Sequence, residues 1–244
     1  MKSEYDNQAN EWKRNTPSYL SDFVARKEVF RILKKISPGK IVLDLGCGEG
    51  YVDRKVALWA KKVIGVDISK GMIKLAKIQE KEDPLGITYY VRDVRKTGVP
   101  SSSINLCIGN FICNHLSPKD LVKFYSEISR VLEKKGKFVL AFPHPASYFL
   151  IKGKHSRFKI KNFDYIKSRG KCFKIMLQSV KGRTSVINTY HSNIEDHFNG
   201  ISLGKLAVES ILEPIVPIKL TKKYPLYKGL EGKTPYMILI GRKT

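Results

Sequence analysis

Val42-Leu43-Asp44-Leu45-Gly46-Cys47-Gly48-Glu49-Gly50 is the stretch whose residue types and spacing could do chemistry. An apolar run that reads as a buried strand feeds three glycines at alternate positions. Glycine permits a tight turn and lets backbone approach a ligand with no Cβ in the way. Position 51 is Tyr, so the third glycine comes one residue earlier than in the GxGxxG pattern of dinucleotide enzymes. A diphosphate needs room at the helix N-terminus, whereas a nucleoside with an amino-acid tail can rest directly on the glycine backbone. Asp67, in Gly65-Val66-Asp67-Ile68-Ser69, stands where an acid about 20 residues past the glycines serves nucleotide-binding folds. It can accept hydrogen bonds from both ribose hydroxyls, with Ser69 left to cap the next helix. Asp93, in Val91-Arg92-Asp93-Val94, can accept from an adenine amino group while Val94 covers the ring.

Alternating strand and helix patterns must position these residues, which points to βαβ units and a mostly parallel sheet. A helical stripe over residues 18–36 ends at Pro38-Gly39. Strands are expected at Ile41 to Leu45, Val63 to Val66, Thr88 to Val91 and Ile104 to Gly109, with helices at Val52 to Ala60 and Lys70 to Lys81. Ser117 can cap a long helix that runs from Pro118 to Lys135 and is ended by Gly136. Lys137 to Phe142 reads as the fifth strand. Residues 144–192 then turn basic, aromatic and irregular, with strand-like runs at Cys172 to Val180 and Thr184 to Tyr190. They read as a cap inserted between a core of residues 1–143 and its C-terminal part, 193–244. A helix at Asn193 to Leu203 and strands at Ala207 to Leu212 and Tyr236 to Arg242 complete the pattern.

Composition narrows the classes. Of 244 residues, 42% are hydrophobic, an ordinary globular share that argues against disorder. No apolar stretch approaches the roughly 20 residues of a membrane helix, and the polar N-terminus is no secretory signal. Cys47, Cys107, Cys113 and Cys172 form neither a CxxC pair nor a cluster of zinc spacing, so a cytoplasmic protein with reduced thiols and no metal is expected. The net charge of +23 is the outlier. It would draw polyanions, yet it is spread along the chain and comes with no RNP-type stacking motif, so a solvated basic surface is the favoured reading.

The DLGCGEG run with Asp67 and Asp93 resembles the class I S-adenosylmethionine-dependent methyltransferases, within them the small-molecule type 11 group that includes ubiquinone- and biotin-pathway enzymes. The resemblance covers Tyr5 to Phe142 well and returns weakly over Thr189 to Pro214. It implies a Rossmann-like sheet of seven strands, the last antiparallel, with helices on both faces. It also implies that Asp44, Gly46, Cys47 and Gly48 hold the amino-acid part of the cofactor, Asp67 and Ile68 the ribose, and Met72, Asp93 and Val94 the adenine side. Asn110 and Phe111 would flank the sulfonium. Tyr5, Ala9 and Trp12 fall at i, i+4 and i+7 on a short helix that in similar enzymes folds over the cofactor.

The same stretch speaks against some acceptors. Asn110-Phe111-Ile112-Cys113 is not the Asn/Asp-Pro-Pro-Tyr/Phe quartet of amino-methylating nucleic-acid enzymes, and Cys113 lacks the preceding Pro of cytosine C5 enzymes. His144, directly after the fifth strand, and His191, before the penultimate helix, are the candidate bases of choice, ahead of His115 and His197. Tyr19, His115, Tyr148 and Tyr190 are candidates for the acceptor wall. Methyl transfer to an O or N atom of a small molecule is the leading expectation. An RNA or protein methyltransferase is the alternative favoured by charge, and a non-catalytic cofactor-binding scaffold comes third.

Overall fold

The computed structural model describes residues 3–6, 9–13, 16–147 and 163–244. Tyr148 lies outside the described residues. Seven strands form one sheet: β1 (Ile41–Leu45), β2 (Lys62–Asp67), β3 (Thr88–Val91), β4 (Ile104–Asn110), β5 (Leu132–Pro143), β8 (Leu206–Leu212) and β9 (Tyr236–Lys243). Their order is β3-β2-β1-β4-β5-β9-β8, with β1 to β5 paired in parallel and β9 antiparallel to both its neighbours. The remaining two, β6 (Cys172–Gln178) and β7 (Thr184–Tyr190), form a separate antiparallel hairpin inside the expected insertion.

Alternation along the central strands builds two cores. Leu43 and Leu45 of β1, Phe138, Leu140 and Phe142 of β5, and Leu239 of β9 face α6 (Pro118–Val131) and α7 (Ile194–Leu203). The residues between them, Val42, Val139, Ala141 and Ile238, face α3 (Ala25–Ile36), α4 (Tyr51–Val56) and α5 (Lys70–Glu82). A strand buried on both faces supplies each layer from every second residue. That explains why these strands read as unbroken apolar runs.

Three boundaries differ from the sequence expectation. The stripe over residues 18–36 splits into α2 (Leu20–Phe23) and α3, because Asp22 turns back to accept from Ser18 N and Tyr19 N while Val24 buries against Tyr227. The helix expected to reach Ala60 ends at Val56. Ser117 does cap α6, accepting from Asp120 N, but α6 stops at Val131 rather than Lys135. Leu132 is drawn into the sheet to pair with Ile104, and the slack is taken up by a register shift and by Lys135 at φ +63°. The chain leaves β1 toward β2 and leaves β4 toward β5, so a crevice opens between the carboxyl ends of β1 and β4.

Candidate cofactor and acceptor site

The glycine loop occupies that crevice. Gly46, Gly48 and Gly50 all adopt left-handed φ values, +80°, +57° and +85°. Gly46 N and Cys47 N donate to Val66 O (2.8 and 3.1 Å), which ties the loop to β2. A Cβ on Gly46 would fall 2.9 Å from Ile112 Cδ1, whereas one on Gly48 meets nothing within 4 Å. Gly48 N donates to Asp67 Oδ2 (3.0 Å) and Ser69 N to Asp67 Oδ1 (2.8 Å). Ser69 Oγ caps α5 by accepting from Met72 N, so the capping task falls to Ser69 and leaves Asp67 facing the loop. Burial raises the pKa of Asp67, against the pull of the Ser69 and Gly48 N–H groups.

A cavity of about 610 Å³ extends from this loop. On the loop side its walls include Asp44, Gly46, Cys47, Gly48, Asp67, Ile68 and Met72. Further out they include Tyr5, Trp12, Tyr19, Asn110, Phe111, His115 and Tyr190, so most of the residues singled out by sequence meet in one space. Asn110 is buried, and neither side-chain amide atom has a hydrogen-bond partner. Phe111 sits at φ +65°, a strained position for a side chain with a Cβ, with the Arg26 guanidinium 4.6 Å above its ring.

Tyr5 and Trp12 do not share one helix. Tyr5 lies in a separate turn, Glu4–Asp6, and Trp12 ends α1 (Ala9–Trp12). The turn is held by Asp6, whose Oδ1 accepts from Ser69 Oγ (2.7 Å) and Gly71 N (3.1 Å) at the start of α5. Glu4 accepts from the backbone and the side-chain amide of Asn188 on β7. Trp12 stacks on Tyr19 at 5.2 Å and meets Tyr5 edge-on at 5.5 Å. The N-terminal residues thus bridge the cofactor side and the hairpin.

Four of the expected residues lie outside this wall. Asp93 and Val94 do not line the cavity. The Arg95 guanidinium grips both oxygens of Asp93 and reaches on to Asp120, and Val94 packs into the core. His144 and His191, the preferred bases, do not line it either. His144 Nε2 pairs with Glu213 (2.7 Å) while its Nδ1 accepts from Ala146 N, and His191 Nε2 donates to the Tyr165 carbonyl. Both rings hold neighbouring loops.

His115 is the histidine in the wall. Its Nε2 lies 3.1 Å from Tyr5 Oη and 3.2 Å from Asn114 Nδ2, and Glu4 Oε1 is 3.7 Å from Nδ1. Both partners of Nε2 can donate, so the neutral ring carries its proton on Nδ1, toward Glu4. Burial pushes its pKa down to about 4.

Sequence reasoning missed Arg26, Glu4, Asn114 and the C-terminal wall of Leu226, Leu230 and Tyr236. Arg26 is buried on α3 and paired at 2.8 Å with Asp22, and its i, i+3 spacing from Val29 was the available signal. Among the described residues no Lys lines the cavity, and Arg26 faces four carboxyls there, Glu4, Asp44, Glu49 and Asp67. The pocket of this basic protein is acidic. Asp44 itself is fully buried. Burial lifts its pKa to about 7, with a hydrogen bond from Asp53 and the charge of Arg26 pulling the other way.

Comparison with known proteins agrees with this geometry. Residues 43–140 match a family model described as a methyltransferase domain. Over 145 residues the chain is 31% identical to N-demethylindolmycin N-methyltransferase of Streptomyces griseus, a match that covers 57% of this chain and 61% of that enzyme. A solved S-adenosylmethionine-dependent methyltransferase from Mesorhizobium loti superposes with a TM-score of 0.66 at 18% identity, over 91% of this chain and 99% of its own. Geranyl diphosphate C-methyltransferase from Streptomyces coelicolor, solved with S-adenosyl-L-homocysteine, gives 0.62 at 14% identity over 90% and 77%. Residues 43–140 thus match a methyltransferase domain, on a fold that the chain shares with solved S-adenosylmethionine-dependent methyltransferases.

Proposed function

We propose that this protein methylates an O or N atom of a small, uncharged and largely apolar acceptor, with His115 as the proton acceptor. The observation that carries the reading is a single cavity with the glycine loop and Asp67 at one end and His115 with the apolar hairpin wall at the other. The loop fits the cofactor. Gly48 leaves open space where a Cβ would stand, and Asn110 offers an unpaired buried amide. Asp44 suits a ligand ammonium, Arg26 a carboxylate, and Asp67 the ribose. When bound, the cofactor supplies a methyl group on a positively charged sulfur.

Alignment of the acceptor against that methyl group supplies much of the rate, and the walls for it are Phe111, Tyr19, Tyr190 and the residues of β6 and β7. A proton leaving the acceptor has a path through the Tyr5 hydroxyl to Nε2 of His115, with Glu4 beside the ring to offset the charge that forms. Glu4 beside His115 disfavours a phosphate or carboxylate acceptor, and the absence of lysine from the wall among the described residues disfavours a nucleic-acid strand. We assign residues 144–192 the role of a cap on the acceptor. The described Lys and Arg of that segment are exposed, as a cap surface requires. Four unpaired cysteines suit the cytoplasm.

Incubation with methyl-labelled S-adenosylmethionine and a cell extract resolved into small-molecule, RNA and protein fractions tests the reading. Label is expected in the small-molecule fraction. Label confined to RNA or protein would overturn it.

A further inference from the structure

The acceptor end of the cavity is ringed by two segments, 172–190 and 215–236, that each contribute to its wall through residues such as Ile175, Ile187, Leu226 and Leu230. They are joined in one apolar cluster. Val180 at the hairpin turn packs with Leu20 and Phe23 of α2 and with Val216, Tyr224 and Tyr227. Val216 is clamped by backbone hydrogen bonds to Lys233 and Gly232, so the outer segment is a fixed part of the rim.

Two features of this rim set it apart. The first is charge. These two segments hold Lys174, Lys181, Arg183, Lys219, Lys222, Lys223, Lys228 and Lys233 against Glu231 alone. The whole chain holds 45 Lys and Arg against 22 Asp and Glu, so the rim is far more one-sided than the average surface. The second is exposed aliphatic surface. Met176 and Val186, directly opposite each other across the hairpin, are 44% and 45% exposed, and Ile215 and Ile218 are 62% and 59% exposed. Met176 also lines the cavity, which places bare apolar surface at its mouth.

We propose that this rim docks on an anionic lipid bilayer, and that an apolar acceptor enters the cavity from it. Lysines near an anionic surface attract it additively, and aliphatic side chains among them can enter the acyl boundary. Single-stranded nucleic acid would instead need aromatic faces on which bases stack. The exposed large apolar side chains of these two segments are all aliphatic, whereas the exposed aromatics among the described residues, Tyr90 and Phe198, lie elsewhere. Delivery of the acceptor rests on the methyltransferase reading, but docking does not.

Flotation of the purified protein with phosphatidylcholine vesicles, with and without about 30 mol% phosphatidylglycerol, tests the docking. Binding is expected to the anionic vesicles alone and to weaken steeply as salt is raised. Ile215→Asp with Ile218→Asp, and separately Lys222→Glu with Lys223→Glu, should each weaken it by roughly tenfold or more. Lys61→Glu with Lys62→Glu carries the same charge change at the opposite, amino end of β2 and should leave binding nearly intact. Calorimetry with S-adenosylhomocysteine shows whether each variant keeps its site. Several results would overturn the proposal: no vesicle binding, equal binding to phosphatidylcholine, equal losses for the two lysine pairs, or binding to an RNA oligonucleotide without binding to vesicles. Vesicle binding by a protein that gives no heat with S-adenosylhomocysteine would uphold docking and remove only the acceptor-delivery part.

Discussion

Nε2 of His115 faces Tyr5 and Asn114 while burial pushes its pKa down to about 4, so the ring is neutral at physiological pH and a weak base, and Glu4 beside Nδ1 must offset the charge that a proton brings. His115→Asn should lower kcat by roughly 10²- to 10⁴-fold, the span of general-base contributions. Affinity for S-adenosylhomocysteine should stay within a factor of about two, since hydrogen bonds to the cofactor are untouched. Steady-state rates set beside calorimetry separate the two, and an unchanged kcat would remove His115 from the chemistry. Asp44 makes a different case. Its folded pKa of about 7 stands above the ordinary 3.8 because the carboxylate is buried. The stability it contributes is therefore complete below pH 3.8 and lost as pH rises through 7. Asp44→Asn should raise Tm more at pH 8 than at pH 5 while weakening cofactor binding, and a Tm gain that does not grow with pH would contradict the assignment. At this scale the sequence was legible wherever backbone chemistry dictated the residue, as at the glycines and Asp67. It did not foretell that Arg95, two residues on, holds both oxygens of Asp93. Nor could it rank the histidines. Whether a ring serves chemistry or a loop depends on the distant carboxylate or carbonyl that meets it, Glu213 for His144 and Tyr165 for His191.

The glycine loop joins β1 to α4, and its glycines serve different ends. A Cβ on Gly46 would strike Ile112 as well as carry a positive φ, whereas at Gly48 only the φ of +57° opposes a side chain. Gly48→Ala should therefore cost about 1–2 kcal/mol of stability, the strain of a left-handed residue. It should cost cofactor affinity more, because the added methyl would stand in the space left for the ligand. Gly46→Ala should cost more stability than Gly48→Ala, by the clash it adds. Chemical denaturation of both variants checks the order, and a reversed ranking would refute this account of the loop. The order of elements and a mostly parallel sheet were readable from the alternation of periods, whereas the seven strands followed from the family resemblance. The end of α6 was not. Sequence placed it at Gly136, the helix-stopping glycine, but pairing of Leu132 with Ile104 overrode local propensity. The hairpin β6–β7 was visible as two strand-like runs. Its position over the cavity depends on long-range contacts such as Glu4 to Asn188, which no local pattern encodes.

Across the whole molecule, basic charge faces outward while the pocket collects acids, so the net charge of +23 says little about the ligand inside. Buried histidines give the fold an acid-sensitive side. His197 stacks on Phe142 at 4.2 Å, shares a 2.9 Å hydrogen bond between Nδ1 and the Tyr125 hydroxyl, and is pushed down to about 4 by burial. Unfolded, it takes a proton near 6.5, so the unfolded chain binds more protons between pH 4 and 6.5 and stability falls as pH drops through that window. His197→Phe should be less stable than the wild type at pH 7, where Tyr125 loses its hydrogen-bond partner, and the gap should narrow toward pH 4. Denaturation midpoints at the two pH values check this, and a constant gap would mean that His197 does not titrate with folding.

The central claim is that the loop from Asp44 to Gly50, with Asp67, holds an S-adenosyl cofactor. Isothermal calorimetry with S-adenosylmethionine and S-adenosylhomocysteine, on the wild type and on Asp67→Ala, tests it most directly. A Kd in the micromolar range is predicted, about −8 kcal/mol at 1 μM. The folded Asp67→Ala variant should bind more weakly by about 1.5–3 kcal/mol, the worth of hydrogen bonds to a charged group. No heat with either compound, or an affinity unaltered by the substitution, would contradict the account.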